Sequence, residues 1–313
     1  MKYNPYLKDA IKISEIGLGA WQLGQNSGWK SMTENEAIQM VHKSLDLGIN
    51  FFDTAPNYGH GTGEERLGKA LKGVDREKVV INTKFGRTHT GTINWNSNYI
   101  RESFEGSLKR LQVEYIDSLI IHSPPSEYID GNKNDHYQIL DKLVEEGKLK
   151  AYGASLDTYD DMMMLMDTTG SKVIEVFFNI FHQATARGFE RAQKEDVGII
   201  VKIPLDSGWL TGKYHAESAF DDVRNRWSKE EIQTRAKLVE KVKAIFGTAE
   251  NLSQKAIAFC LAFEAVSTVI PGNVTIDQLL SNVQSTEVSI SPDLKEKLEM
   301  FYQSEIKKLN LPW

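Results

Sequence analysis

Short apolar runs, each stopped by a polar or turn residue, alternate along this chain with longer segments whose apolar positions recur three and four residues apart. The run Ile49-Asn50-Phe51-Phe52 reads as a buried strand and ends in Asp53-Thr54-Ala55-Pro56-Asn57-Tyr58-Gly59. The same pattern predicts strands over 16–21, 79–84, 115–122, 149–154, 173–178, 198–203 and 268–270. Between them, Thr33 and Glu36 form a capping-box pattern that opens a helix through Ala37, Val41 and Leu45 and stops at Gly48. Further helices are expected over 63–71, 98–111, 137–146, 160–166, 184–194, 231–246, 253–263, 276–283 and 292–301, and 206–229 is the longest irregular stretch. Met162, Met163, Met164 and Met166 read as adaptable packing on one of these helices.

Eight strand–helix units in regular alternation imply a parallel sheet, and no linker or composition break divides the chain, so one domain is expected over 1–313. An open doubly wound sheet would want a completed G-x-G-x-x-G turn after its first strand. Gly17 and Gly19 lie within the strand itself and the pattern is not completed. The reading is an α/β fold, a (β/α)8 TIM barrel.

Composition narrows the function classes. Of 313 residues 41% are hydrophobic, enough for one large core, and the formal charge of -6 leaves no basic stripe for nucleic acid. Cys260, the one cysteine, sits in an apolar segment, so disulfide frameworks and cysteine-based metal sites are excluded and no metal is expected. No run approaches the length of a membrane span, and the first fourteen residues lack a signal-peptide core. The expectation is a soluble, cytoplasmic protein.

Under the barrel reading, Asp53, Lys84, His122, Ser155 and Asn179 fall at the C-terminal ends of successive strands, the face on which this fold builds its sites. Lys84 and Asp53 are expected to pair in a partly desolvated pocket. A cation beside Tyr58 is expected to stabilise its phenolate and lower its pKa from about 10, and His122 to hydrogen-bond a substrate oxygen. A carbonyl protonated by a tyrosine needs an electron source that side chains do not supply, so a hydride-carrying cofactor is implied. The loops 204–208 and 271–275, after the last two strands, are the expected phosphate cradle.

These residues carry a resemblance. Phe-Phe-Asp53-Thr-Ala-Pro-Asn-Tyr58-Gly, Lys84, Ile-Ile-His122-Ser-Pro, Gly153-Ala-Ser155, Phe178-Asn179, Pro204-Leu-Asp-Ser-Gly-Trp-Leu-Thr-Gly212-Lys-Tyr and Val-Ile-Pro271-Gly272 occur in the order of the aldo-keto reductase superfamily, which the chain resembles over nearly its whole length. The Leu-Thr-Gly-Lys-Tyr segment is similar to its bacterial and plant branches.

The resemblance implies a catalytic tetrad of Asp53, Tyr58, Lys84 and His122, with Tyr58 as general acid or base, acting on an aldehyde, ketone or sugar carbonyl with NADP(H) or NAD(H). It places Trp21, Asp53, Ser155, Asn179 and Lys202 around the nicotinamide, and Pro204, Leu205, Ser207, Gly208 and Leu210 around the pyrophosphate. Gly272, Asn273, Gln278 and Asn282 fall on the adenosine side, and Trp21, Trp29, Tyr58 and His122 border the substrate. Three departures stand out: Leu156 replaces the usual Asn, Glu175 the usual Gln, and Lys202 an aromatic or arginine, with phosphate as a possible partner for that lysine. No cation stands among Gly272, Asn273 and Gln278, and Asp277 lies between them, which favours NADH or dual use. Channel β-subunits of the same fold make a cofactor-binding regulatory role the alternative. A non-redox barrel with Lys84 as a Schiff-base nucleophile is a third reading, opposed by the expected pairing with Asp53. The sequence leaves substrate, reaction direction and oligomeric state open.

Overall fold

The structure is a computed structural model that describes residues 1–7, 11–25, 31–309 and 311–312. It opens with a hairpin of β1 (Tyr3–Tyr6) and β2 (Ile11–Ser14), paired antiparallel with Tyr3 opposite Ser14. Then follow β3 (Leu18–Gly19), α1 (Glu34–Asp46), β4 (Phe51–Asp53), α2 (Thr62–Ala70), β5 (Val80–Phe85) and α3 (Ser97–Leu111). The alternation continues with β6 (Ile116–Ile121), α4 (His136–Glu145), β7 (Leu149–Leu156), α5 (Tyr159–Thr168), β8 (Val173–Phe177), α6 (Phe189–Lys194) and β9 (Gly198–Lys202). The last elements are α7 (Lys229–Phe246), α8 (Leu252–Leu261), β10 (Val266–Ile270), α9 (Ile276–Gln284) and α10 (Pro292–Phe301).

Strands β3 to β10 form one parallel sheet in chain order, and bridges from Ile16 to Val269 and from Gly19 to Gly272 join its two ends. The expected (β/α)8 barrel is what forms. The Thr33–Glu36 capping box opens α1, and a second box, Ser228 with Glu231, starts α7 two residues before the sequence placed it. The stretch expected as one helix over 184–194 divides into a 3-10 segment, Ala184–Gly188, and α6. Met162 is fully buried, as a packing methionine should be.

The hairpin was not expected. Each of its strands is four residues long, with polar Asn4 and Lys12 breaking the apolar pattern. Its packing makes it stable: Tyr6 and Ile13 join Phe51, Val80, Ile120, Ala151, Val173, Ile200 and Ile270 in an apolar cluster inside the barrel. Successive strand residues point to opposite faces, so a strand residue two positions on shares the inward face. Phe51 leads to Asp53, Val80 to Asn82 and then Lys84, Val173 to Glu175, and Ile200 to Lys202. Apolar residues thus seal one end of the barrel and polar ones gather at the other.

Gly153 is required for this sheet to close. A Cβ there would lie 1.6 Å from the Val173 carbonyl oxygen, its register partner on β8. We expect Gly153→Ala to destabilise the fold by about 1–3 kcal/mol or more, measured as a lower urea midpoint at unchanged slope.

Candidate active site

Asp53 is the last residue of β4, and the backbone around it is fixed from both sides: the Ala20 amide donates to the Asp53 carbonyl (2.7 Å) and the Thr54 amide to the Asn82 carbonyl (2.9 Å). The chain then turns, and Tyr58 is held by its amide on the Ala55 carbonyl and its carbonyl under the Gly63 amide. Gly59, at φ +60°, packs so closely on Gly24 that a Cβ would sit 1.8 Å from the Gly24 oxygen. Only glycine serves there, and the contact locks the Tyr58 loop against the Gln22–Gly24 turn.

Lys84 is the centre of the arrangement. Its fully buried ammonium donates to Asp53 Oδ1 at 2.6 Å and to the Thr54 carbonyl at 3.1 Å, and lies 3.2 Å from Glu175 Oε2. The same nitrogen stands 5.4 Å from the centre of the Tyr58 ring. The His122 ring meets Tyr58 edge-on, with centroids 5.9 Å apart at 87°. Asp53, Tyr58, Lys84 and His122, from three strand ends and one loop, therefore share one pocket.

Burial opposes the charge on Lys84, but Asp53, Glu175 and Tyr58 together outweigh it and hold the amine protonated far into alkaline pH. Two carboxylates compete for this lysine and they diverge. Burial pushes Asp53 up to about 7, against the attraction of Lys84 and with the repulsion of Glu175. Glu175 is held below the usual carboxylate range, because Lys84, Lys202 and the Ser155 hydroxyl overcome its burial. Tyr58 departs from the expectation. Burial pushes its phenol up, Lys84 only partly offsets this, and Asp53 and Glu175 add to the rise. Burial, then Lys84, Lys202 and Arg87, hold His122 well below its ordinary value, so the ring is neutral.

The remaining candidates divide. Ser155 donates to Glu175 Oε1 (2.9 Å) and accepts from Lys202 (2.9 Å), and Lys202 also meets Asp157 Oδ1 at 2.9 Å. Lys202 is thus held between the buried Ser155 hydroxyl and the half-exposed Asp157 carboxylate. Asn179 is fully buried, with its Oδ1 accepting from the Phe181 and His182 amides and its Nδ2 donating to the Ile203 carbonyl. Pro204, Leu205, Ser207, Gly208 and Leu210 form the turn after β9, with Leu210 in the core. Gln278 Oε1 caps the Val274 amide, and Asn282 donates to Asn273, whose own Nδ2 donates to the Pro271 carbonyl. Trp21 is half-buried beside Gln22, which lies against exposed Gly272. Trp29 lies outside the described residues.

Sequence reasoning missed the supports. Ile203, Asp206 and Ser207 all have positive φ, a strained turn for residues with a Cβ. Buried Asp206 anchors it through Arg235 Nε (3.2 Å) and His182 Nε2 (3.3 Å). Glu175 was visible as the one acidic residue in the apolar strand Val173–Phe177, but its reach to Lys84 was not.

Two buried polar atoms near these residues are left for a bound group. His122 Nδ1 and Gln22 Oε1 are buried with no protein partner, and the turn over 204–210 is anchored through Asp206. The aldo/keto reductase family model matches residues 15–302. This chain belongs to the aldo/keto reductase family. Its fold matches the holo form of aldo-keto reductase AKR11C1 from Bacillus halodurans, with TM-score 0.80, 26% identity and 96% of both chains covered. It is 28% identical over 280 residues to L-galactose dehydrogenase of Arabidopsis thaliana, covering 87% of this chain and 84% of the relative. It is 26% identical to a probable voltage-gated potassium channel subunit beta of Oryza sativa subsp. japonica, over 98% of both.

The neutrality of His122 in this aldo/keto reductase is testable. In NMR titration of the imidazole carbons, His122 should remain neutral down to well below pH 6.5, while an exposed histidine titrates near that value. A midpoint at 6.5 or above contradicts the assignment.

Proposed function

We propose that this protein reduces an aldehyde, ketone or sugar carbonyl with NAD(P)H, Tyr58 acting as the general acid. The observation that carries the reading is the fully buried Lys84, 2.6 and 3.2 Å from two carboxylates and 5.4 Å from the centre of the Tyr58 ring. When bound, the nicotinamide supplies the hydride. Gln22, Gly272 and the turn over 204–210 would hold the cofactor, with Ser155 and Glu175 toward the acid–base group.

At neutral pH Tyr58 carries its proton, and the alkoxide that develops on the carbonyl is a far stronger base than a phenolate, so the proton moves to it. Lys84 then stabilises the phenolate left behind. Neutral His122 donates one hydrogen bond to the carbonyl oxygen without adding charge. Oxidation of an alcohol runs the same proton transfer in reverse, starting from the Tyr58 phenolate that Lys84 stabilises.

The segment Gly272 to Asn282 contains no lysine or arginine and exposes Asp277, which supports NADH or dual use over strict NADPH use. The likeness to the channel subunit supports a second reading, a cofactor-binding regulatory subunit with little turnover. Turnover separates the two.

Tyr58→Phe should lower kcat/KM for carbonyl reduction by about 10²–10⁴-fold while cofactor binding, followed by fluorescence, stays as in the parent. Wild-type turnover in Tyr58→Phe removes the proposed acid, and no turnover of any carbonyl in a broad aldehyde, ketone and sugar panel favours the regulatory reading. In the same titrations NADH should bind at least as tightly as NADPH. A strong NADPH preference contradicts the cofactor assignment.

A further inference from the structure

The polar chemistry of the barrel does not stop at Asp53. Asn82 Nδ2 donates to Asp53 Oδ1 at 2.7 Å, the atom that also receives Lys84. Behind Asn82, the Ser118 hydroxyl donates to Asn82 Oδ1 at 2.7 Å, and the Tyr6 phenol donates to Ser118 Oγ at 2.8 Å. All these side chains are buried. The row runs from the hairpin at the closed end of the barrel to the acid–base group at its open end.

The direction of the row follows from its last member. A carboxylate only accepts, so Asn82 must turn its NH2 toward Asp53. That leaves the Asn82 oxygen toward Ser118, whose hydroxyl must donate and whose oxygen is then free to accept from Tyr6. Burial raises the Tyr6 phenol, so it stays a donor. Each bond polarises the next in the same sense. Interior positions of such a barrel are ordinarily filled by apolar side chains, and three uncharged polar ones cost stability unless each is satisfied. Room for Tyr6 is also built in, since a Cβ on Gly198 would stand 2.7 Å from its ring.

We propose that Asn82, oriented by Ser118 and by Tyr6 of the N-terminal hairpin, is a positioning residue that favours the charged form of Asp53 and so holds Lys84 in place under Tyr58. The proposal rests on the reading of Lys84 and Tyr58 as the acid–base pair. The groups facing Asp53 are Lys84 and Asn82 from β5, Glu175 from β8 and Tyr58 from the loop after β4, with Tyr6 below; His122 and Lys202 face Lys84 and Glu175 from β6 and β9. Of these, Lys84 and Asn82 favour the charged form of Asp53, and burial and Glu175 oppose it.

The test is the titration of the Asp53 carboxyl carbon by NMR in the full-length protein, assigned with Asp53→Asn, so that it needs no substrate. Asn82→Leu, similar in size but without a donor, should raise the Asp53 midpoint by about one pH unit or more. Ser118→Ala and Tyr6→Phe should raise it by less, in that order. In the carbonyl-reduction pH profile the acidic limb should move the same way. A purely structural role would lower the melting temperature and leave the midpoint unmoved. A folded Asn82→Leu whose Asp53 titrates as in the parent overturns the proposal. If Asn82→Leu does not fold, Ser118→Ala and Tyr6→Phe decide: a raised midpoint in both supports the row, and an unmoved midpoint in both overturns it. Absence of any carbonyl turnover would refute the proposed function and leave this titration readable.

Discussion

A single buried ammonium governs the open end of this barrel. Placing Lys84 where no water reaches it costs several kcal/mol unless opposite charge and hydrogen bonds are supplied in good geometry, and the surrounding strands supply them. Asp53 and the Thr54 carbonyl come from β4 and its exit, Glu175 from β8, and Ser155 and Lys202 arrange Glu175 in turn. Removing either carboxylate leaves Lys84 with one counter-charge in place of two. The strand ends are thus coupled across the barrel mouth through Lys84, and Tyr58 lies over the point where they meet.

That coupling explains why the two carboxylates differ. With one lysine between them, both cannot be equally favoured as anions, and the second cation decides which yields. Lys202 stands on the Glu175 side, so Glu175 is the settled carboxylate and Asp53 the one near its titration point. Asn82 is then a natural partner for Asp53: a neutral donor favours the anion without adding a further charge to be desolvated.

Much of this was legible in the chain. Regular alternation of apolar runs and helical segments is enough for a (β/α)8 barrel, because a parallel strand needs a crossover helix before its neighbour. The polar residues that end each run, Asp53, Lys84 and His122, fall on one face once the barrel closes. The hairpin was not legible, since two four-residue strands carry too little pattern and owe their stability to Tyr6 and Ile13 packed inside the barrel. The turn after β9 was read as a phosphate loop, but its anchors His182 and Arg235 lie 24 and 29 residues from Asp206.

The sequence by itself determined the order of elements, the barrel, and which polar side chains reach its mouth, because strand and helix periodicity are local. Tertiary structure alone decided the charges. The phenol of Tyr58 is raised where the sequence suggested a fall, since burial and two carboxylates outweigh one lysine. Lys202 turns to Ser155 and Asp157, and Asp53 is joined to Tyr6 through residues up to 112 positions apart in the chain. Electrostatic energies depend on distance and on exclusion of water, and neither is set until distant segments pack.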